Sequence, residues 1–218
     1  MKRPCRNASQ TSIIKMRELH PIPLKTFNFN WMKTKNKITA MLLAFGTILM
    51  LNSCASIPKK AKPVGNFDVK RYLGTWYEIA RFDFRFEKNL DNTSAQYKLD
   101  KNGNVIVLNS GYNFIKEEWK KAVGLAKFRG DKNLAALKVS FFGPFYSGYN
   151  VVALDENYQY ALIAGKNLDY LWILSRTKSI PEDIKTNYLQ IAKEIGYDTT
   201  KLIWVNHDKS DNPYLNER

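Results

Sequence analysis

The sequence predicts an all-β chain: an eight-stranded antiparallel up-and-down β-barrel with one C-terminal α-helix packed outside. Three observations carry this prediction. From Gly74 onward, short runs rich in Val, Ile, Tyr, Phe and Trp alternate with turn sequences. No long helical pattern separates the runs, so parallel βαβ units are excluded. A single amphipathic helical pattern follows the eighth run, and one such helix needs an apolar wall to cover.

Residues 1–53 carry +8 of the formal +14, which leaves +6 for residues 54–218. The high pI therefore belongs mainly to a leader, and no arginine-rich stripe points to nucleic acid. Residues 1–31 contain Pro4, Pro21 and Pro23, have no clear period, and read as an upstream extension outside the fold. Residues 32–53 read as a signal peptide: Lys33, Lys35 and Lys37 precede 14 uncharged residues, 38–51. A membrane-spanning helix needs about 20, whereas this length suits the apolar core of a secretory signal. Leu51-Asn52-Ser53-Cys54 follows at once. It resembles the bacterial lipoprotein signal, which implies cleavage before Cys54 and acylation of that cysteine. The alternative, a cysteine closing a core helix, fits poorly with the polar run Pro58-Lys59-Lys60-Ala61-Lys62-Pro63. Residues 54–65 instead read as a solvated tether.

The eight candidate strands are 76–84, 93–99, 104–113, 117–128, 134–141, 149–155, 159–164 and 170–176. Turn chemistry breaks them at Asp100-Lys101-Asn102-Gly103, Arg129-Gly130-Asp131, Gly143-Pro144, Asp155-Glu156-Asn157 and Gly165-Lys166-Asn167. Closing such strands into a barrel removes exposed edges. Ser179-Ile180-Pro181-Glu182 reads as a capping box that opens the helix. Ile184, Tyr188, Ile191 and Ile195 form its apolar face, and Gly196 ends it. Leu202-Ile203-Trp204-Val205 reads as a ninth short strand, and the polar residues 206–218 as a loose tail.

Three separated motifs sharpen this pattern. Gly74-Thr75-Trp76 opens the first strand, Asp155 with Tyr158 lies between the sixth and seventh, and Arg176 ends the eighth. In this order they resemble the three conserved regions of lipocalins, over residues 66–206. The segments Tyr72–Phe82 and Ala136–Tyr146 are similar to the bacterial outer-membrane lipoprotein subgroup, relatives of apolipoprotein D. The strict Thr-Asp-Tyr motif is replaced here by Leu154-Asp155-Glu156. The resemblance implies that Gly74, Trp76, Asp155 and Arg176 are structural. Trp76 would plug the closed end, with Arg176 laid over it in a cation–π contact of about 0.5–2 kcal/mol.

Strand parity nominates ligand-binding residues. With Trp76 inward, Glu78, Ala80 and Phe82 share its face. With Arg176 over the plug, Leu174 and Trp172 point inward above it. Lys138 prefers solvent, which turns Leu137, Val139 and Phe141 inward, and Tyr97 is a wall residue of the second strand. The third and fourth strands are apolar on both parities and stay unassigned. Each inward aromatic could instead fill a solid core, whereas the resemblance implies a hollow interior. Phe142, Phe145 and Tyr146 fall in a loop that the resemblance places at the open end, where they read either as an apolar lip that meets the membrane or a lipid donor, or as loop residues folded back onto the barrel.

Enzyme chemistry finds little support. The mature chain has one histidine, His207, in a polar segment, and its only cysteine is Cys54. Glu117 and Glu118 are strand neighbours on opposite faces, so they are not a catalytic pair. No phosphate loop or metal-ligand cluster appears, and no cofactor is called for. The resemblance implies a membrane-anchored protein that binds and carries or stores a lipid, such as a fatty acid or lysophospholipid, in the cell envelope. Its expected location is the outer membrane, lipid-anchored and facing the periplasm, with a homodimer compatible. A structural envelope lipoprotein with a filled barrel is the alternative, and a lipid-processing enzyme a weaker one.

Overall fold

The computed structural model describes residues 57–215. Cys54, the signal peptide and residues 1–31 lie outside the described residues. A short helix, α1 (Val69–Tyr72), leads into β1 (Gly74–Phe82). There follow β2 (Leu90–Leu99), β3 (Val105–Asn113), β4 (Glu118–Phe128), β5 (Ala136–Phe142), β6 (Phe145–Leu154), β7 (Tyr160–Ala164) and β8 (Leu171–Ser175). Then come α2 (Glu182–Ile195), a 3₁₀ turn (Thr199–Lys201) and β9 (Leu202–Trp204).

Every sequential pair from β1–β2 to β7–β8 is antiparallel, and β1 also pairs with β8, which closes an eight-stranded barrel. β9 pairs with the upper part of β1, at Ala80–Phe82, where β1 has parted from β2. The backbone N–H of Asn92 then bonds the Asn206 carbonyl, so this segment fills the gap between β1 and β2. Strand ends differ from the sequence expectation by a few residues. The largest difference is β6, which starts at Phe145 because Phe142 and Phe145 pair across a two-residue turn.

Two apolar layers result. The inner layer includes Phe67, Tyr72, Trp76, Tyr97, Val105, Val107, Ala126, Leu137, Val151, Ile163 and Leu174. This settles the parity of the third and fourth strands, since Val105, Val107 and Ala126 face in while Ile106 and Val123 are exposed. The outer layer packs Ile79, Phe82, Leu162, Leu171 and Ile173 against Tyr188, Ala192 and Ile195 of α2. The expected capping box does not form. Pro181 occupies the N-cap with no side-chain bond, and the Ser179 carbonyl accepts from Ser175 and Thr177 hydroxyls instead. Gly196 ends α2 as expected, in the left-handed region with φ 114°.

Both flanks of the barrel are more ordered than their polarity suggests. The tether is docked from Ala61 onward. Ala61 is buried in the outer layer, and Val64 is held between the Val151 carbonyl and the Ala135 N–H. The tail is not loose over 206–215. Asn92 Nδ2 donates to Asp208, Lys209 N–H to Asn92, Asn212 Nδ2 to Ser110, and Gln96 Nε2 to the Tyr214 carbonyl. The outward positions that the strap covers, Ser94 and Gln96 of β2 and Ser110 of β3, are polar, so a polar strap matches them. Polarity here serves pairing and not solvation.

Candidate functional site

The closed end is built by the three motif positions. Gly74 has φ 92°, which favours glycine, and a Cβ there would lie 3.4 Å from Arg176 Nη1. Trp76 is fully buried and its indole N–H donates to the Tyr72 carbonyl at 2.8 Å. The Arg176 guanidinium lies 4.0 Å over the Trp76 ring. It also donates to the carbonyls of Thr75, Arg71 and Tyr158. Asp155 accepts backbone N–H bonds from Asn157, Gln159 and Tyr160, which tightens the β6–β7 turn. Tyr158, in the left-handed region at φ 58°, accepts the Asp68 N–H through its hydroxyl and carries Arg71 4.1 Å over its ring. Tyr158 thus ties the turn to the start of α1, although the motif around it departs from the family pattern.

Above the plug, three tyrosines meet. Tyr149 Oη lies 2.7 Å from Tyr72 Oη and 2.9 Å from Tyr97 Oη. Burial pushes all three phenols above their ordinary value, so they stay protonated. Tyr97 was a sequence candidate, whereas Tyr72 and Tyr149 were not. Leu137 and Leu174 are buried beside them, with Val139, Phe141 and Trp172 half-buried on the same inner wall. Gly124 on β4 makes room for Phe141, since a Cβ there would come within 2.8 Å of its ring.

The parity expectation fails within β1. Glu78 pairs with Leu174 and faces in, but Ala80 pairs with Ile173 and Arg81 with Trp172. One extra residue, Ile79, makes a β-bulge, and a one-residue slip exchanges the faces of everything after it. Ala80 and Phe82 therefore lie in the outer layer under α2, where Phe82 meets Tyr197 edge-on at 5.7 Å. Arg81 takes the inner position and is buried. Its Nη1 donates to Glu78 Oε1 at 2.8 Å and its Nη2 to the carbonyls of Glu87 and Leu90.

Thr93 also donates to Glu78, and the Trp172 indole N–H donates to Glu87 Oε2 at 3.1 Å. Burial and the neighbouring Glu78 carboxylate push Glu87 well above the usual carboxylate range. Glu78 is also raised by burial, against the opposing pull of Arg81. No sequence signal marked Arg81 and Glu87 as inner residues. Arg81 needed the bulge, and Glu87 sits in the β1–β2 loop, where strand parity says nothing. Toward the mouth, Trp172 meets Phe84 edge-on at 5.7 Å and Tyr170 at 6.2 Å, and Phe84 meets Phe86 at 6.2 Å.

Comparison with known proteins places this geometry. A family model described as a lipocalin-like domain matches residues 67–207. Outer membrane lipoprotein Blc of Citrobacter freundii is 52% identical over 171 residues, covering 78% of this chain and 97% of that protein. Blc of Escherichia coli (strain K12) is 48% identical over the same coverage. Apolipoprotein D of Mus musculus is 34% identical, covering 73% of this chain and 85% of that one. Among solved structures, insecticyanin from the tobacco hornworm Manduca sexta superposes with a TM-score of 0.57 at 23% identity. It covers 72% of this chain and 88% of that chain, a likeness of fold. With its eight-stranded closed barrel, outer helix and tryptophan–arginine plug, the chain belongs to the lipocalin family.

Proposed function

We propose that this lipocalin is a non-enzymatic lipid-binding protein of the cell envelope, carrying or storing a single-chain lipid such as a fatty acid or lysophospholipid. One observation carries the reading. Val139, Phe141 and Trp172 face the inside of a closed barrel, yet they keep accessible surface while the residues below them are sealed. An apolar wall that faces open space is suited to an acyl chain, at roughly 0.8 kcal/mol per buried methylene before ordering costs. Glu78, Tyr97, Leu137, Val139, Phe141, Trp172 and Leu174 are the proposed contacts, with Arg81 and Glu87 added at the polar side. Ala80 and Phe82, in the outer layer under α2, are not among them.

The relatives called outer membrane lipoproteins support a lipid anchor on Cys54 and an outer-membrane address. The barrel is proposed to face the periplasm. A filled structural barrel is favoured by one feature, the solid packing of Trp76, Tyr97 and Leu174 at the base.

Titration with a fluorescent fatty acid separates the two readings. Saturable binding is expected in the wild type. Trp172→Ala should fold and bind at least tenfold more weakly, a loss of about 1.4 kcal/mol. Trp76→Ala should instead lose stability first, by about 3–5 kcal/mol in thermal or chemical melts. No saturable binding by the wild type would leave the filled barrel standing, and unchanged affinity in folded Trp172→Ala would place that ring outside the ligand site.

A further inference from the structure

The two ends of the barrel differ in a way that strand parity does not require. The closed-end turns carry Asp100, Lys101 and Asn102, then Arg129, Asp131 and Lys132, then Asp155, Glu156 and Asn157, with Leu134 the single large apolar side chain exposed in those three turns. At the open end, each of the four loops presents large apolar side chains. Phe86 in the β1–β2 loop is 55% exposed, Ile115 in the β3–β4 loop 68%, Phe145 at the β5–β6 turn 74% and Leu168 in the β7–β8 loop 43%. Phe114 and Phe142 add to the ring. These residues come from four separate stretches of sequence, and each leaves much of its apolar surface exposed. Such a set of exposed apolar groups marks an interaction surface.

The rim continues into the barrel. Phe142 meets Phe86 at 5.6 Å, Phe86 meets Phe84, and Phe84 meets Trp172 on the inner wall. Arg85 lies 4.5 Å over the outer ring of Phe86, and Lys166 lies over Tyr170 at 5.4 Å. Cations set among aromatics are the mixture that suits a lipid headgroup layer. The outward rim charges are Arg85, Lys88, Lys116 and Lys166 against Asp83, Glu117, Glu118 and Asp169, a near-neutral mixture of both signs around the apolar ring. Cys54 stands three residues before Ile57, within about 10 Å of chain. Its proposed acylation would keep a bilayer within constant reach.

We propose that the open rim is a bilayer-docking surface. Phe86, Phe114, Ile115, Phe142, Phe145 and Leu168 enter the headgroup region, and the aromatic path from Phe142 to Trp172 leads a lipid inward. The purpose assigned to the path rests on the lipid-carrying reading, whereas the docking itself does not.

Hydrogen exchange on the full chain tests it, with and without vesicles of phosphatidylethanolamine and phosphatidylglycerol. Vesicles should slow exchange at least threefold in 83–89, 114–117, 142–146 and 165–170. Exchange at 100–104, 129–135 and 155–159 should be unchanged. In Phe142→Ser/Phe145→Ser, whose altered side chains are exposed and do not support the fold, rim protection should fall by at least half. Exposed Val123→Ser on the barrel side should leave it intact. Protection absent from the rim, or equal at both ends, overturns the proposal. So does rim protection that grows with protein concentration without vesicles, which would make the occupant a second copy of the chain. A protein that binds fatty acid but shows no rim protection keeps the carrier reading and loses this one. Rim protection without saturable lipid binding does the reverse.

Discussion

Glu87 sits where three influences meet: burial, the Glu78 carboxylate, and the N–H of Trp172. Arg81 Nε, buried without a hydrogen-bond partner, forms an ion pair with Glu87 Oε2 at 3.9 Å, too far for a hydrogen bond. The raised value of Glu87 has a definite consequence for stability. Above the ordinary carboxylate range the unfolded chain has released this proton while the folded chain still holds it. The folded state therefore binds more protons there, and stability falls as pH rises through that window. Glu87→Gln cannot ionise, so it should gain on the wild type as pH increases. Urea denaturation at pH 4 and pH 8.5 is expected to show the variant relatively more stable at the higher value. A difference that does not change with pH would mean that Glu87 ionises freely in the fold.

Among the elements, β1 and the C-terminal strap do more than their sequences advertise. The bulge in β1 gives one strand two jobs, with Trp76, Glu78 and Arg81 facing in while Ala80 and Phe82 seat α2. The strap covers a polar wall. Asn212 is buried, donates to Ser110 Oγ at 3.0 Å and accepts the Tyr214 N–H at 3.0 Å. Removing its amide takes the acceptor from the Tyr214 N–H and leaves Ser110 Oγ with Ser94 Oγ alone. Asn212→Ala should cost about 1–3 kcal/mol, read by chemical denaturation, with faster hydrogen exchange over 206–215. An exchange pattern identical to the wild type would show that the strap is held without it.

At the scale of the whole molecule, the barrel is one part of a chain whose first 53 residues carry over half of the net positive charge. The proposed anchor makes the simplest prediction. Cys54→Ala should abolish metabolic labelling with palmitate and block normal maturation, while the wild type should fractionate with outer-membrane markers on a sucrose gradient. Equal labelling of the mutant would end the lipoprotein reading, and migration of the wild type with inner-membrane markers would end the outer-membrane one. Ala55, next to Cys54, is consistent with outer-membrane sorting, since an aspartate there signals inner-membrane retention in enteric-type bacteria.

Strand number, order and the outer helix were legible in the sequence because each is a local property. Turn residues punctuate the strands, and the helical period of Ile184, Tyr188, Ile191 and Ile195 is unambiguous. The plug was legible too, through Gly74, Trp76, Asp155 and Arg176, since a family motif records contacts that spacing cannot. The inner wall was legible only where parity ran unbroken, as for Leu137, Val139, Phe141, Trp172 and Leu174. It failed at Ala80 and Phe82 because a bulge is set by pairing with β8 and leaves no mark in a short apolar run. The strap was misread because a polar residue facing water and one facing a polar wall look alike in sequence. The apolar rim was visible only in part, since its members come from four loops that adjoin only once the barrel closes. The sequence determined which segments become strands and which face each prefers. Tertiary closure decided where that preference slipped, and which distant side chains came to share an end.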